Sequence, residues 1–187
     1  VATAAKKATF VEADLHLGMA ASPYQDTDVG LAWGGMLGIG GKLRTFPLRF
    51  YLMAGFTHQP GEVCGVFSPT GEEFTLDQDI VDLYLGPRIV IPIVRGLRAY
   101  VDLMGLASYQ KMDLIRGDTI SKKSGGWLGG ALLAVGLQYR WHRNASTGLR
   151  LEWAIYSDPG TTLPGTVGLE PKSNGKLALS LVQGWYF

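Results

Sequence analysis

The feature that most constrains this chain is a two-residue rhythm that sorts charge onto one face. In Val11-Glu12-Ala13-Asp14-Leu15-His16-Leu17-Gly18-Met19 the odd positions are apolar and the even ones polar or small. A strand puts those two sets on opposite sides. The same alternation runs through 48–52, 81–85, 99–103, 137–141, 149–155 and 177–181, and more weakly through 29–39. In the strong segments Leu, Val, Ile, Trp and Phe share a face that carries no charge. The opposite face collects Glu12, Asp14, Arg49, Asp82, Arg88, Arg98, Asp102, Arg140, Arg150 and Glu152.

A water-soluble barrel would turn its aliphatic face inward and its charges outward. Burying a whole charged face costs several kcal/mol per ion unless the charges pair with one another. Charge facing hydrocarbon costs roughly 2–4 kcal/mol for a midplane Arg or Lys. The pattern therefore predicts lipid against the greasy face and a lumen lined by mutually neutralising ions. Only a closed barrel satisfies every backbone group of a sheet in lipid. The fold class that follows is all-β, a membrane-spanning antiparallel up-and-down barrel of about eight strands.

The strands are placed near 9–20, 29–40, 47–58, 79–93, 97–110, 126–141, 147–157 and 174–187. The connections between them alternate in length. Those over 21–28, 59–78, 111–125 and 158–173 are long, and those around 40–46, 94–96 and 142–146 are short. Long extracellular loops and short periplasmic turns mark outer-membrane barrels. An even strand count sets both termini on the short-turn side. The whole chain, 1–187, reads as one barrel domain, with 1–8 as a short periplasmic segment and a secretory signal removed ahead of it.

Composition narrows the alternatives. The 187 residues hold 17 basic and 16 acidic side chains, so nothing argues for nucleic acid as a partner. No apolar run reaches the ~18 residues of a transmembrane helix. One cysteine, Cys64, excludes an internal disulfide and a cysteine-built metal cage. No cofactor motif, phosphate-binding loop or zinc signature occurs, and no catalytic or metal-binding residue is assigned. Gly38-Ile39-Gly40-Gly41-Lys42 has the wrong spacing for a phosphate loop. Asn144-Ala145-Ser146 reads as a turn before it reads as a glycosylation acceptor.

With these residues in hand, the chain resembles the small outer-membrane barrels of the OmpA-like and OmpX-like class. The resemblance covers the whole length as a pattern. Its most specific element is the end, Leu177 to Phe187, where Phe187 with Trp185 two residues earlier matches the C-terminal assembly signal of that class. Val182 stands where the class usually has glycine. The resemblance implies outer-membrane lipids and the outer-membrane assembly machinery as partners, and a location in the bacterial outer membrane. It fixes no activity, since members include anchors, adhesins and lipid-modifying enzymes.

An eight-stranded barrel is narrow enough for side chains to fill. The inward Glu12, Asp14, His16, Arg49, Asp82, Arg88, Arg98, Asp102, Arg140, Arg150 and Glu152 are expected to form a charge network that plugs it. Small inward residues on strand 2 (Gly30 to Gly40) and strand 6 (Gly130, Ala134, Gly136) leave room for long side chains, or for an acyl chain. The leading expectation is a non-enzymatic anchor or interaction module, alone or as one subunit of a larger envelope complex. An envelope protein would dock on the loop over 59–78, where Cys64 offers a contact or an intermolecular disulfide, or on the basic periplasmic turns. The alternatives are a lipid-modifying acyl hydrolase or acyltransferase, for which His58 at an outer strand end is the candidate base, and a soluble lipocalin-like carrier.

Overall fold

The computed structural model describes residues 9–21, 29–42, 47–67, 72–116, 119–157 and 175–187. Eight strands run in chain order: β1 (Thr9–Ala21), β2 (Val29–Lys42), β3 (Arg49–Phe67), β4 (Glu72–Val94), β5 (Leu97–Arg116), β6 (Thr119–His142), β7 (Ala145–Tyr156) and β8 (Gly175–Tyr186). Each pairs antiparallel with its sequence neighbours, and β8 pairs with β1 to close the barrel. Phe187 N donates to Val11 O at 3.0 Å and Val11 N to Phe187 O at 3.3 Å, sealing that seam at the terminal end. The N-terminal segment 1–8, the loop over 158–173 and all but Ala21 of the loop over 21–28 lie outside the described residues.

Alternation decides which side chains go where. Leu37 is 66 % exposed and Leu85 58 %, whereas Glu12, Asp82, Arg88 and Asp102 are fully buried. The exterior is a continuous aliphatic wall and the interior holds the ions. This is the reverse of a water-soluble barrel, so a soluble carrier is not what this chain forms. The exposed wall includes Leu15, Leu17, Leu52, Leu103, Leu151 and Leu179. Lipid is the solvent that suits such a face.

Two connections at the terminal end are two-residue turns, Arg95-Gly96 and Arg143-Asn144. Gly96 has φ +85°, a conformation open to glycine at little cost. At the opposite end the structure departs from the sequence expectation. Residues placed in long loops over 59–78 and 111–125 are mostly strand. Gln59 to Phe67 pairs with Glu72 to Ile80, and β5 and β6 stay paired out to Arg116 and Thr119. Among the described residues the β2–β3 ladder ends at Trp33–His58, and the β6–β7 pairing ends where Ser157 N donates to Gly129 O at 2.7 Å. Strands β3 to β6 thus continue as a four-stranded sheet beyond the closed barrel.

Candidate functional site

The lumen is built from one row of inward residues per strand. Arg88 of β4 lies directly opposite Asp102 of β5 in the ladder. Its Nε donates to Asp102 Oδ1 at 2.7 Å and its Nη2 to Asp102 Oδ2 at 3.0 Å. Its Nη1 crosses the lumen to β1, reaching Glu12 Oε1 at 2.8 Å and also Asp14. One fully buried guanidinium thus holds three carboxylates. The planar five-donor fork of arginine makes this feasible where lysine would not. The Arg88 guanidinium also sits 4.2 Å from the Tyr100 ring centroid.

Neighbouring ions extend the network in both directions. Arg150 of β7 donates from Nη1 to Asp102 Oδ2 at 2.5 Å and from Nε to Glu152 Oε2 at 3.1 Å. Arg98 of β5 donates to Glu12 Oε1 at 3.2 Å and to Gln138 Oε1 at 3.0 Å. Towards the far end, Asp82 is bound by Lys176 and by the Tyr156 hydroxyl at 3.1 Å. His16 Nε2 stands 3.0 Å from Thr57 Oγ1 and 3.4 Å from the Tyr84 hydroxyl, which itself donates to Phe56 O at 3.0 Å. The sequence reading missed Lys176. It stands at the very start of β8, before the alternation declares itself, and only its full burial opposite Asp82 reveals the role.

Arg49 and Arg140 are inward too, yet they pair with no carboxylate among the described residues. Arg49 rests 5.2 Å from the Phe10 ring centroid. Arg140 rests 5.1 Å from the Tyr186 ring and donates to His142 O at 3.3 Å. Both stand at the terminal mouth of the barrel and outside the ion-paired set.

The rest of the lumen is occupied by bulk. Met36, Met53, Tyr51, Tyr84, Tyr100, Met104, Leu106, Leu128 and Leu132 form its apolar cluster. Three of the tyrosines lie directly opposite glycines in the ladders, as Gly40–Tyr51, Gly55–Tyr84 and Tyr100–Gly136. A Cβ added at Gly136 would collide with Cζ of Tyr100. Aromatic rings laid over glycine restore the contact that the missing side chain forfeits. Gly136→Val should therefore expel the ring and lower stability by about 1–3 kcal/mol. Urea unfolding in micelles checks this, and Gly129→Val, whose Cβ meets nothing within 4 Å, is the matched control.

Other sequence candidates fall outside the lumen. His58 points outward, with Nε2 2.6 Å from Asp79 Oδ1 and its ring edge-on to Trp33 at 5.4 Å. Cys64 is a strand residue opposite Thr75 in the β3–β4 ladder, not a loop residue; its side chain is outside the described set. Trp185 and Phe187 lie on the outward face of β8's end, with Phe187 exposed. Asn144 lies in the β6–β7 turn, and Ser146 is buried, its Oγ 2.7 Å from the Tyr186 hydroxyl. Lys111 hydrogen-bonds Asp113 on the extended sheet, and that bond holds its ammonium above the ordinary lysine pKa. Among the described residues no group of three or more His, Cys, Asp or Glu converges as a metal site.

Among the described residues, paired ions and the apolar cluster share the lumen. The five carboxylates Glu12, Asp14, Asp82, Asp102 and Glu152 are all held by buried cations.

No family model and no curated protein sequence matches the chain. Solved structures do. A major outer membrane protein from Thermus thermophilus aligns over 96 % of this chain and 100 % of its own, at 13 % identity and a TM-score of 0.66. Ail, the attachment invasion locus protein of Yersinia pestis, aligns over 96 % and 97 % at 11 % identity and a TM-score of 0.55. Its complex with the heparin analogue sucrose octasulfate aligns with a TM-score of 0.54. Joined to the closed antiparallel ring and its lipid-suited exterior, these likenesses give the chain the fold of the bacterial outer-membrane β-barrels.

Proposed function

We propose that this protein is a non-enzymatic outer-membrane barrel that anchors a cell-surface interaction module. The termini and the short turns face the periplasm in this reading, and the extended sheet of β3 to β6 faces outward. The observation that carries it is that sheet. Beyond Gln59 on β3 and before Gly129 on β6, the two outer strands pair, among the described residues, only with β4 and β5. An edge of unpaired N–H and C=O groups is a template for another strand. A lumen filled by ion pairs, tyrosines and methionines supports an anchor over an enzyme with an internal acyl pocket. Outer-membrane lipids surround the barrel, and Trp185 with Phe187 would serve the assembly machinery at the end of β8.

The test is to cut the β3–β4 hairpin back to the Gly61–Gln78 rung, close it with an Asn-Gly turn, and compare capture by both proteins in lipid nanodiscs. The barrel should fold and the shortened form should lose the bound protein. Equal capture removes the β3–β4 hairpin from the account. Lipid profiles by mass spectrometry should be identical in cells with and without the protein; a deacylated or newly acylated species would favour an enzyme. In planar bilayers the protein should show no steady ion conductance, because the plug occupies the lumen. A stable open current would contradict the plug.

A further inference from the structure

The terminal mouth of the barrel carries cations that have no carboxylate partner among the described residues. Lys42 and Arg49 are direct ladder partners on β2 and β3, and both fall on the lumen-side row of their strands. Like charges directly opposite across a ladder are destabilising. Across the mouth stands Arg140 of β6, which shares the Tyr186 ring with Arg98 of β5, at 5.1 and 4.2 Å from the centroid. The nearest carboxylate up the lumen is Glu12, already bound by Arg88 and Arg98. Nor does the sequence supply another at this end. The short connections 42–46, 95–96 and 142–144 contribute Lys42, Arg44, Arg95 and Arg143 and not one Asp or Glu.

We propose that this mouth is a binding site for a compact phosphate-bearing anion, held by Arg49 and Arg140 with Lys42 completing the ring. Aromatic rings stand under the two guanidiniums, Phe10 at 5.2 Å from Arg49 and Tyr186 at 5.1 Å from Arg140, and among the described residues Arg140 spends only its Nε, on His142 O. Guanidinium forks match the oxygens of phosphate bidentately. An eight-stranded ring is narrow, so its mouth admits a small multivalent anion and not the surface of a folded protein. A ligand that neutralises Lys42, Arg49 and Arg140 also relieves their mutual repulsion, so binding and barrel stability are linked. A free phosphate ester and a phospholipid headgroup share this chemistry.

The experiment is calorimetric titration of pyrophosphate into the full chain in phosphatidylcholine nanodiscs at low ionic strength. One saturable site is expected, weakened at least tenfold in the Arg49→Gln/Arg140→Gln double variant and unchanged in Lys111→Gln at the opposite end. Repeating it in phosphatidylglycerol discs separates the sources. The same isotherm there indicates a soluble ligand, and its loss there indicates a lipid headgroup already seated; either supports the site. Arg49→Glu is a second variant, which supplies its own carboxylate opposite Lys42. It should abolish binding while raising the melting temperature in phosphate-free buffer. No saturable binding in phosphatidylcholine, full affinity in the double variant, or uptake of a poly-glutamate peptide in preference to pyrophosphate overturns the proposal.

Discussion

Arg88→Met should be the most damaging single change in the barrel, lowering its stability by about 3–5 kcal/mol. The side chain is fully buried and holds Glu12, Asp14 and Asp102 together. Removing it leaves three carboxylates in one low-dielectric space with only Arg98 and Arg150 to share. The cost comes mainly from those uncompensated charges, since a well-packed apolar lumen would not need the arginine. This yields a sharper expectation: Asp14→Asn and Asp102→Asn, added to Arg88→Met, should recover part of the loss. Urea titration followed by tryptophan fluorescence in micelles measures both. If Arg88→Met unfolds at the wild-type urea concentration, the network is not what holds β1 to β4 and β5 across the lumen.

The second large effect lies on the other face. Leu85→Arg, in the middle of β4's outward row, should cost about 2–4 kcal/mol in a bilayer. An arginine on the same strand three residues later is indispensable, and this one is intolerable, because the pleat alternates solvents as well as directions. Glu62→Arg on the extended sheet should shift stability by no more than about 0.5 kcal/mol, as expected for an exposed position in water. Folding yield into liposomes distinguishes the two substitutions.

How much of this was legible beforehand follows from the solvents on each side of a strand. Where lipid lies on one face and the packed lumen on the other, residue type is dictated at every position. Strands through Glu12, Leu85, Asp102 and Leu151 could therefore be read directly. Past His58 on β3 and Lys111 on β5 the sheet leaves the barrel and the alternation dissolves. Pro60, Gly61 and Glu62 follow in sequence without period, and look like a loop although each has a ladder partner. The inward set was also readable by parity, but not who meets whom. That Arg88 would reach β1 while Arg49 and Arg140 remain at the mouth depends on strand stagger, which no local window contains. Lys176 shows the same limit, since its partner Asp82 lies 94 residues away.

Hydrocarbon, and not water, meets the outside of this barrel, and its own tryptophans report on that directly. Trp33, Trp127, Trp141 and Trp153 are all outward and exposed, with Trp153 in the run Leu151-Glu152-Trp153-Ala154-Ile155 and Trp141 beside the β6–β7 turn. Single-tryptophan variants in bilayers containing lipids brominated at defined depths should show Trp153 quenched most by mid-chain bromine and shielded from aqueous iodide. Trp141 should respond to bromine near the headgroups. Iodide quenching of Trp153 without any response to brominated lipid would contradict the account.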